Sequence, residues 1–149
     1  MKSRLLIFTL IILTNFQSCD DDKSEIVFHN SHEPSRAEAP FSDAVETENL
    51  LFLTGQIGKD HKKGELVKGG IEVETKQVIE NIKAVLEYHN LTLDHVVKCT
   101  VILKDINDFK TFNSVYTSYF TKKPARTTFA ASGLAGDASI EIDVIAVKL

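Results

Sequence analysis

Two charged side chains stand out because each lies within an apolar, strand-like stretch. Arg126 opens an apolar run directly after Pro124 and Ala125, and Glu141 lies between Ile140 and Ile142. A guanidinium fork can bind a carboxylate through two parallel hydrogen bonds, and a carboxylate can act as a general acid or base. Composition alone favours a plainer interpretation, a surface ion pair at Arg126 and a solvent-facing Glu141, because ordinary surface charges far outnumber functional ones.

The remaining reactive residue types form no recognisable pattern. No Gly-rich phosphate loop and no Ser–His–Asp order is found, and we expect no cofactor. The formal net charge is −4, and −6 without Lys2 and Arg4, which argues against a nucleic-acid partner. We also expect no metal site, because no two histidines show metal-ligand spacing on a common element; the five are His29, His32, His61, His89 and His95.

Residues 1–18 are typical of an export signal. Lys2 and Arg4 precede an apolar run, Leu5–Leu13, that is too short to span a bilayer, which takes roughly 20 residues. The stretch 15–19 resembles a lipobox, in which the signal is cut before Cys19 and that cysteine is acylated. The sequence therefore predicts a cell-envelope lipoprotein that is anchored at Cys19, and it does not assign the membrane face. The alternatives are that residues 1–18 form a plain secretory signal or a buried strand.

Residues 19–40 are predicted to form an acidic tether, and residues 41–149 the folded domain. Three aspartates and Lys23 follow Cys19. This charged run is either a solvated tether or a sorting signal for surface export. The segment 25–29 has strand character and is either an edge strand or a linker. An acylated Cys19 leaves Cys99 without a disulfide partner, and its apolar surroundings predict a buried residue and not a nucleophile.

The apolar pattern of the domain predicts an α+β fold. Strands are expected at 50–54, 96–103, 125–131 and 140–147, and a helix is expected to follow Gly70 and end near Asn90. A second helix with a broad aromatic stripe is expected between Asp105 and Pro124. With the segment at 25–29 the order is ββαβαββ, a mixed sheet with two helices on one face. The nearly continuous apolar strand at 96–103 is expected to be covered on both faces.

Several stretches, in order and spacing, resemble the Rid (reactive intermediate deaminase) family across residues 40–149. They are Leu53-Thr54-Gly55-Gln56-Ile57, the run from Val101 to Phe109, Asn113-Ser114-Val115-Tyr116, Pro124-Ala125-Arg126-Thr127-Thr128, and the run from Ile140 to Ala146. The resemblance implies a chorismate-mutase-like fold and a homotrimer with ligand clefts between subunits. It also implies hydrolysis of small 2-imino acids to 2-keto acids and ammonia, without metal or organic cofactor.

The same resemblance assigns roles to individual residues. Arg126 matches the arginine that holds the substrate carboxylate, and Glu141 the glutamate that positions water and transfers a proton. Thr54 occupies a hydroxyl position that is commonly Ser, Gly55 allows close approach, and Asn113 matches a polar residue near the ligand. Two departures predict altered substrate preference: Phe41 replaces a Tyr and loses its hydroxyl, and Thr128 replaces a Cys.

Two further functions stay open at this stage. The chain could be a non-catalytic trimeric module that binds a small carboxylate or a protein, since an exported deaminase would meet different substrates from a cytoplasmic one. A ribonuclease activity, attached to some relatives, fits least well because the charge is negative and no basic stripe with interleaved aromatics is found.

Overall fold

The computed structural model describes residues 25–149, so the predicted export signal, Cys19 and the acidic run at 20–23 lie outside the described residues. None of the helices within residues 25–149 has the length and apolar character that a membrane span requires. The helices are α1 (Ile71–Tyr88) and α2 (Phe109–Tyr119). The strands are β1 (Ile26–His29), β2 (Ala44–Thr47), β3 (Leu50–Ile57), β4 (Lys59–Asp60), β5 (Glu65–Leu66), β6 (Val96–Leu103), β7 (Ala125–Ala130) and β8 (Ile140–Val147).

Within residues 25–149, six strands form one mixed sheet in the order β1-β2-β3-β8-β6-β7, and β4 and β5 form a separate two-stranded ribbon. Among these strands, only β6 and β7 pair in parallel, with α2 as the crossover between them. The predicted α+β fold with a mixed sheet and two helices is confirmed. The segment at Ile26–His29 is an edge strand paired with β2, while β2 itself and the β4–β5 ribbon were not anticipated.

The core lies between the helices and one face of the sheet. The buried side chains of α1 recur every three or four residues, as an amphipathic helix requires, and include Val78, Ile82 and Leu86. The predicted left-handed residue after this helix is found at Asn90, whose φ is 60°. From α2, the fully buried Phe112 ring packs into the same core.

Residues 25–149 of one chain do not cover the second face of the sheet, so within these residues the expectation that β6 is covered on both faces is not met. Phe28, Phe52 and Phe129 are 68%, 38% and 45% exposed. These rings lie on strands β1, β3 and β7 of the same sheet. This open apolar face is a surface that a partner molecule could cover.

Candidate functional site

Glu141 lines a cavity of about 440 Å³ at the end of β3. The neighbours predicted from the sequence are gathered there: Phe41, Thr54 and Gly55 line the same cavity. In β8, Glu141 alternates with the buried Ile140 and Ile142, so its side chain points to the face opposite the helices. The alternation of β8 thus places the Glu141 side chain on the face away from the helices, where it lines the cavity.

A bulge in β3 brings Gly55 against this acid. The β3–β8 register shifts between Leu53 and Gln56, so that Thr54 and Gly55 together lie opposite Asp143. A β-carbon at Gly55 would lie 3.0 Å from Cδ of Glu141, closer than carbon atoms approach without strain. The absence of a side chain at Gly55 therefore makes room for the Glu141 carboxyl group.

A buried polar group forms another wall of this cavity. Arg36 donates to Gln56 Oε1 at 2.7 Å and pairs with Asp43 at 3.0 Å, where the Asp43 side chain is 3% exposed. The Arg36 guanidinium also lies 5.4 Å from the centre of the Phe41 ring. Arg36 thereby neutralises Asp43 and holds Phe41, the ring that replaces the expected Tyr, at the cavity wall.

Lys59 and His61 add two basic groups to the same cavity. Burial lowers the pKa of His61, and the nearby Arg36 charge lowers it further. His61 is therefore largely neutral near pH 7, and its ring can donate or accept a proton at the rim. Arg36, Lys59 and His61 were not predicted as site residues, because Arg36 lies in the segment interpreted as a tether and the other two lie in a short polar stretch.

Arg126 lines a different cavity, of about 570 Å³, together with Asn113. Its guanidinium carbon lies 4.5 Å from the centre of the Tyr116 ring, and the Phe112 and Phe109 rings are 5.2 and 5.7 Å away. The predicted aromatic stripe of α2 is thus both core and a platform for the arginine. Cation–π contacts fix the guanidinium, while the cavity side stays free for an anion.

Two neighbours complete the surroundings of Arg126. Thr128 lies two residues further along β7, on the same face, and its buried hydroxyl lacks a hydrogen-bond partner among the described residues. Beneath Arg126, the Tyr116 hydroxyl donates to Cys99 Sγ at 3.3 Å. Burial raises the pKa of the Cys99 thiol to about 11, so this cysteine remains a thiol at neutral pH, as expected of a residue that is not a nucleophile.

Within one chain the two central residues do not meet. Arg126 lies opposite Cys99 and Glu141 opposite Ile102, which places them two strands and three residues apart. That offset is roughly 10 Å across the strands and roughly 10 Å along them. Arg126 faces the helices and Glu141 faces away. The predicted site therefore divides into two half-sites: Phe41, Thr54, Gly55 and Glu141 in one, and Asn113, Arg126 and Thr128 in the other.

Comparison with known proteins places this arrangement in a family. The family model described as endoribonuclease L-PSP matches residues 31–148. A RutC family protein of Pyrococcus horikoshii is 48% identical over 126 residues, which cover 83% of this chain and 98% of that protein. The human 2-iminobutanoate/2-iminopropanoate deaminase is 39% identical over 110 residues, 73% of this chain and 80% of the human protein.

A solved structure agrees with the sequence comparison. The crystal structure of a protein of unknown function of the conserved Rid family from Yersinia pestis superposes with a TM-score of 0.77 at 35% identity, covering 83% of this chain and 99% of that one. The chain therefore belongs to the endoribonuclease L-PSP family, which includes the RutC and Rid proteins.

Proposed function

We propose that this protein hydrolyses small 2-imino acids to 2-keto acids and ammonia, at a site that Arg126 of one protomer and Glu141 of another form together. The observation that carries the proposal is the division of the predicted site residues between two cavities. Arg126 and Asn113 line one cavity, and Glu141 and Gly55 line the other. Human, mouse and bovine relatives named as 2-iminobutanoate/2-iminopropanoate deaminases, at 38–41% identity, support this reaction.

The Arg126 half-site provides the anion-binding part of the reaction. A 2-imino acid carries a carboxylate beside the C=N carbon, and the guanidinium fork binds it in a fixed orientation. The Asn113 side chain lines the same cavity, and the Thr128 hydroxyl, which has no hydrogen-bond partner within residues 25–149, lies two residues further along β7. Holding the carboxylate in this way presents the imine carbon to the opposite half-site.

The Glu141 half-site provides water activation. Glu141 accepts a proton from water as the water oxygen bonds to the imine carbon, and returns that proton to the imine nitrogen, giving a neutral carbinolamine. The C–N bond then breaks as the C=O bond of the keto acid forms, and Glu141 transfers the hydroxyl proton to the departing amino group, which leaves as ammonia. General acid–base assistance of this kind contributes about 10²–10⁴ in rate.

A homotrimer would bring the two half-sites together. The open apolar face of the sheet, with Phe28, Phe52 and Phe129 exposed, supports association with further copies. The apolar run of β6 is typical of a strand that is covered on both faces, and it also supports association with further copies. The net charge of −4 favours a small-molecule substrate over RNA, despite the description carried by the family model.

A subunit-mixing experiment tests the reaction and the composite site together. Arg126→Ala and Glu141→Gln should each abolish the acceleration of keto-acid release from imines made by an amino-acid oxidase. Protomers mixed and reassembled at equal ratio should regain about one quarter of the wild-type activity, because each interface needs its intact Arg126 and its intact Glu141 from different variants. Glu80→Gln, at an exposed position of α1, is the control for the loss of a carboxylate.

Three results would contradict the proposal. Wild-type protein that fails to accelerate hydrolysis is not a deaminase of these substrates. Full activity in Arg126→Ala removes the carboxylate-binding role. Active wild-type protein with no recovery in the mixture shows that the two half-sites do not combine across an interface. Keto-acid binding that needs Arg126, without any turnover, would support a carboxylate-binding module instead.

We also propose that the chain is exported and lipid-anchored at Cys19. The order of a basic start, a short apolar run and a small residue before Cys19 supports this. Metabolic labelling with a fatty acid should mark the wild-type protein and not Cys19→Ser, and labelling of both would refute the anchor.

A further inference from the structure

Two histidines and a glutamate converge away from both half-sites. His29 lies on β1, Glu46 on β2, and His89 immediately follows α1. One ligand atom from each residue lies within 4.8 Å of the others. None of the three residues lines the cavity of Glu141 or that of Arg126.

The register of the first two strands produces this convergence. Glu46 pairs with Val27, and His29 lies two residues beyond Val27, so both side chains stand on the same sheet face as diagonal neighbours. His29 Nε2 lies 3.2 Å from Glu46 Oε2. The His89 ring completes the group, with its centre 4.6 Å from that of His29. All three side chains are partly buried.

We propose that His29, Glu46 and His89 bind a divalent transition-metal ion, with Zn²⁺ as the best match. Two imidazoles and one carboxylate form a ligand set that zinc takes in proteins, with water in the fourth position. Ligand atoms about 2.1 Å from a tetrahedral zinc lie roughly 3.4 Å apart, so the His29–Glu46 spacing already suits the ion. The ligand atoms lie within 4.8 Å of one another, so a ring movement of His89 of up to about 1.4 Å closes the rest of the distance.

Lys148 tunes this site. Its Nζ lies 2.6 Å from Glu46 Oε1, the carboxylate oxygen that does not face His29. Its positive charge opposes a second cation nearby, and this repulsion outweighs any benefit of the contact to the orientation of the carboxylate. Removal of the charge therefore strengthens metal binding.

The ion would fasten β1 to the rest of the fold. Among the described strands, β1 lies at the edge of the sheet and pairs only with β2, and Ile26 and Phe28 are exposed at 58% and 68%. A metal shared by β1, β2 and the end of α1 ties this edge strand to the helical layer. Its function is structural, at the point where the chain leaves the domain toward its N-terminus.

Metal binding can be measured on purified protein without a histidine tag. Isothermal titration with Zn²⁺ should show saturable binding of one ion per chain. His29→Gln and His89→Gln should each weaken binding by at least about 10-fold. His95→Gln is the matched control, because it removes a histidine outside the cluster, and it should bind like the wild type. Lys148→Met should bind Zn²⁺ more tightly, a gain that a misfolded variant would not show.

Hydrogen exchange tests the structural consequence. Zn²⁺ should slow exchange of the β1 amides in the wild type and not in His89→Gln, and imine hydrolysis should be unaffected by these substitutions. The proposal is overturned if the wild type shows no saturable binding, if His29→Gln and His89→Gln bind as well as the wild type, or if His95→Gln loses binding to the same extent. Binding that leaves β1 exchange unchanged would overturn the proposed fastening of β1.

Discussion

Replacement of Gly55 by alanine is the sharpest test of the Glu141 half-site. A β-carbon at this position would lie 3.0 Å from Cδ and 3.1 Å from Cγ of Glu141, and would overlap with Oε1. Carbon atoms in contact normally stay about 3.5–4.0 Å apart, so the carboxyl group has to move by about 0.5–1 Å. The backbone itself accepts alanine, because Gly55 is not among the residues with positive φ.

The expected effect is a loss of catalysis without a loss of fold. A displacement of about 1 Å in a catalytic group can cost on the order of 10²-fold in rate, or about 2.7 kcal/mol of transition-state stabilisation. Stability should change little, because the end of the Glu141 side chain can turn into the cavity. The lower entropy of the unfolded alanine chain offsets part of any strain, by about 0.4–1 kcal/mol.

The assay measures kcat/KM for keto-acid release, with thermal unfolding measured on the same preparations. Gly133→Ala is the matched control: its β-carbon would meet nothing within 4 Å, and its φ is not positive. It should leave both quantities unchanged. If Gly55→Ala keeps kcat/KM within about threefold of the wild type, less than 1 kcal/mol, the geometric argument for Glu141 is refuted.

Four further substitutions or treatments test other parts of the structure. Arg126→Lys should raise KM by about 10-fold or more, because an ammonium cannot form the bidentate pair with a carboxylate; an unchanged KM would contradict this carboxylate-binding role. Arg36→Met should lower the free energy of unfolding in urea by about 3 kcal/mol, because Asp43 is left buried without its cation; if Arg36→Met combined with Asp43→Asn is no more stable than Arg36→Met alone, the pair does not explain the loss. The pKa of His61 is lowered in the fold mainly by burial, so its contribution to stability is complete above about pH 6.5 and falls as pH drops through that value toward the folded pKa; urea midpoints between pH 7 and 5.5 should therefore decline less in His61→Asn than in the wild type. Cys99, with its pKa raised to about 11, should resist a thiol reagent at pH 8 in the native protein and react after unfolding, in a variant whose other cysteine is replaced by serine; rapid native labelling would show that the thiol is accessible.

Elements with a strong apolar period could be predicted from the sequence, and short or polar ones could not. The helix before Asn90 and the strands β6 and β8 were predicted because many residues repeat one pattern. The strand Ala44–Thr47 was missed because it has four residues, and the acid Glu46 stands on the buried face of the sheet. That position is stable only through partners distant in sequence, His29 at 3.2 Å and Lys148 at 2.6 Å.

The site residues were predicted one by one, but their arrangement was not. Their identities came from family resemblance, and nothing in a single strand shows that Arg126 faces the helices while Glu141 faces away. That distinction depends on strand register, which puts Arg126 opposite Cys99 and Glu141 opposite Ile102. The histidine pair was missed for the same reason: spacing along one element cannot detect ligands that lie 60 residues apart and meet only through the sheet.

The separation of Arg126 from Glu141 within one chain has a chemical advantage under the proposed assembly. An arginine and a glutamate within about 4 Å in a partly buried cavity form an ion pair, and neither charged group is then available to bind the substrate. Here the aromatic platform holds the guanidinium without an acid, and Gly55 makes room for the Glu141 carboxylate, which forms no ion pair within residues 25–149. In the proposed assembly, a second protomer would cover the open face of the sheet and bring the two side chains to one site. The substrate then enters between the two charges, its carboxylate toward the arginine and its double bond toward the acid.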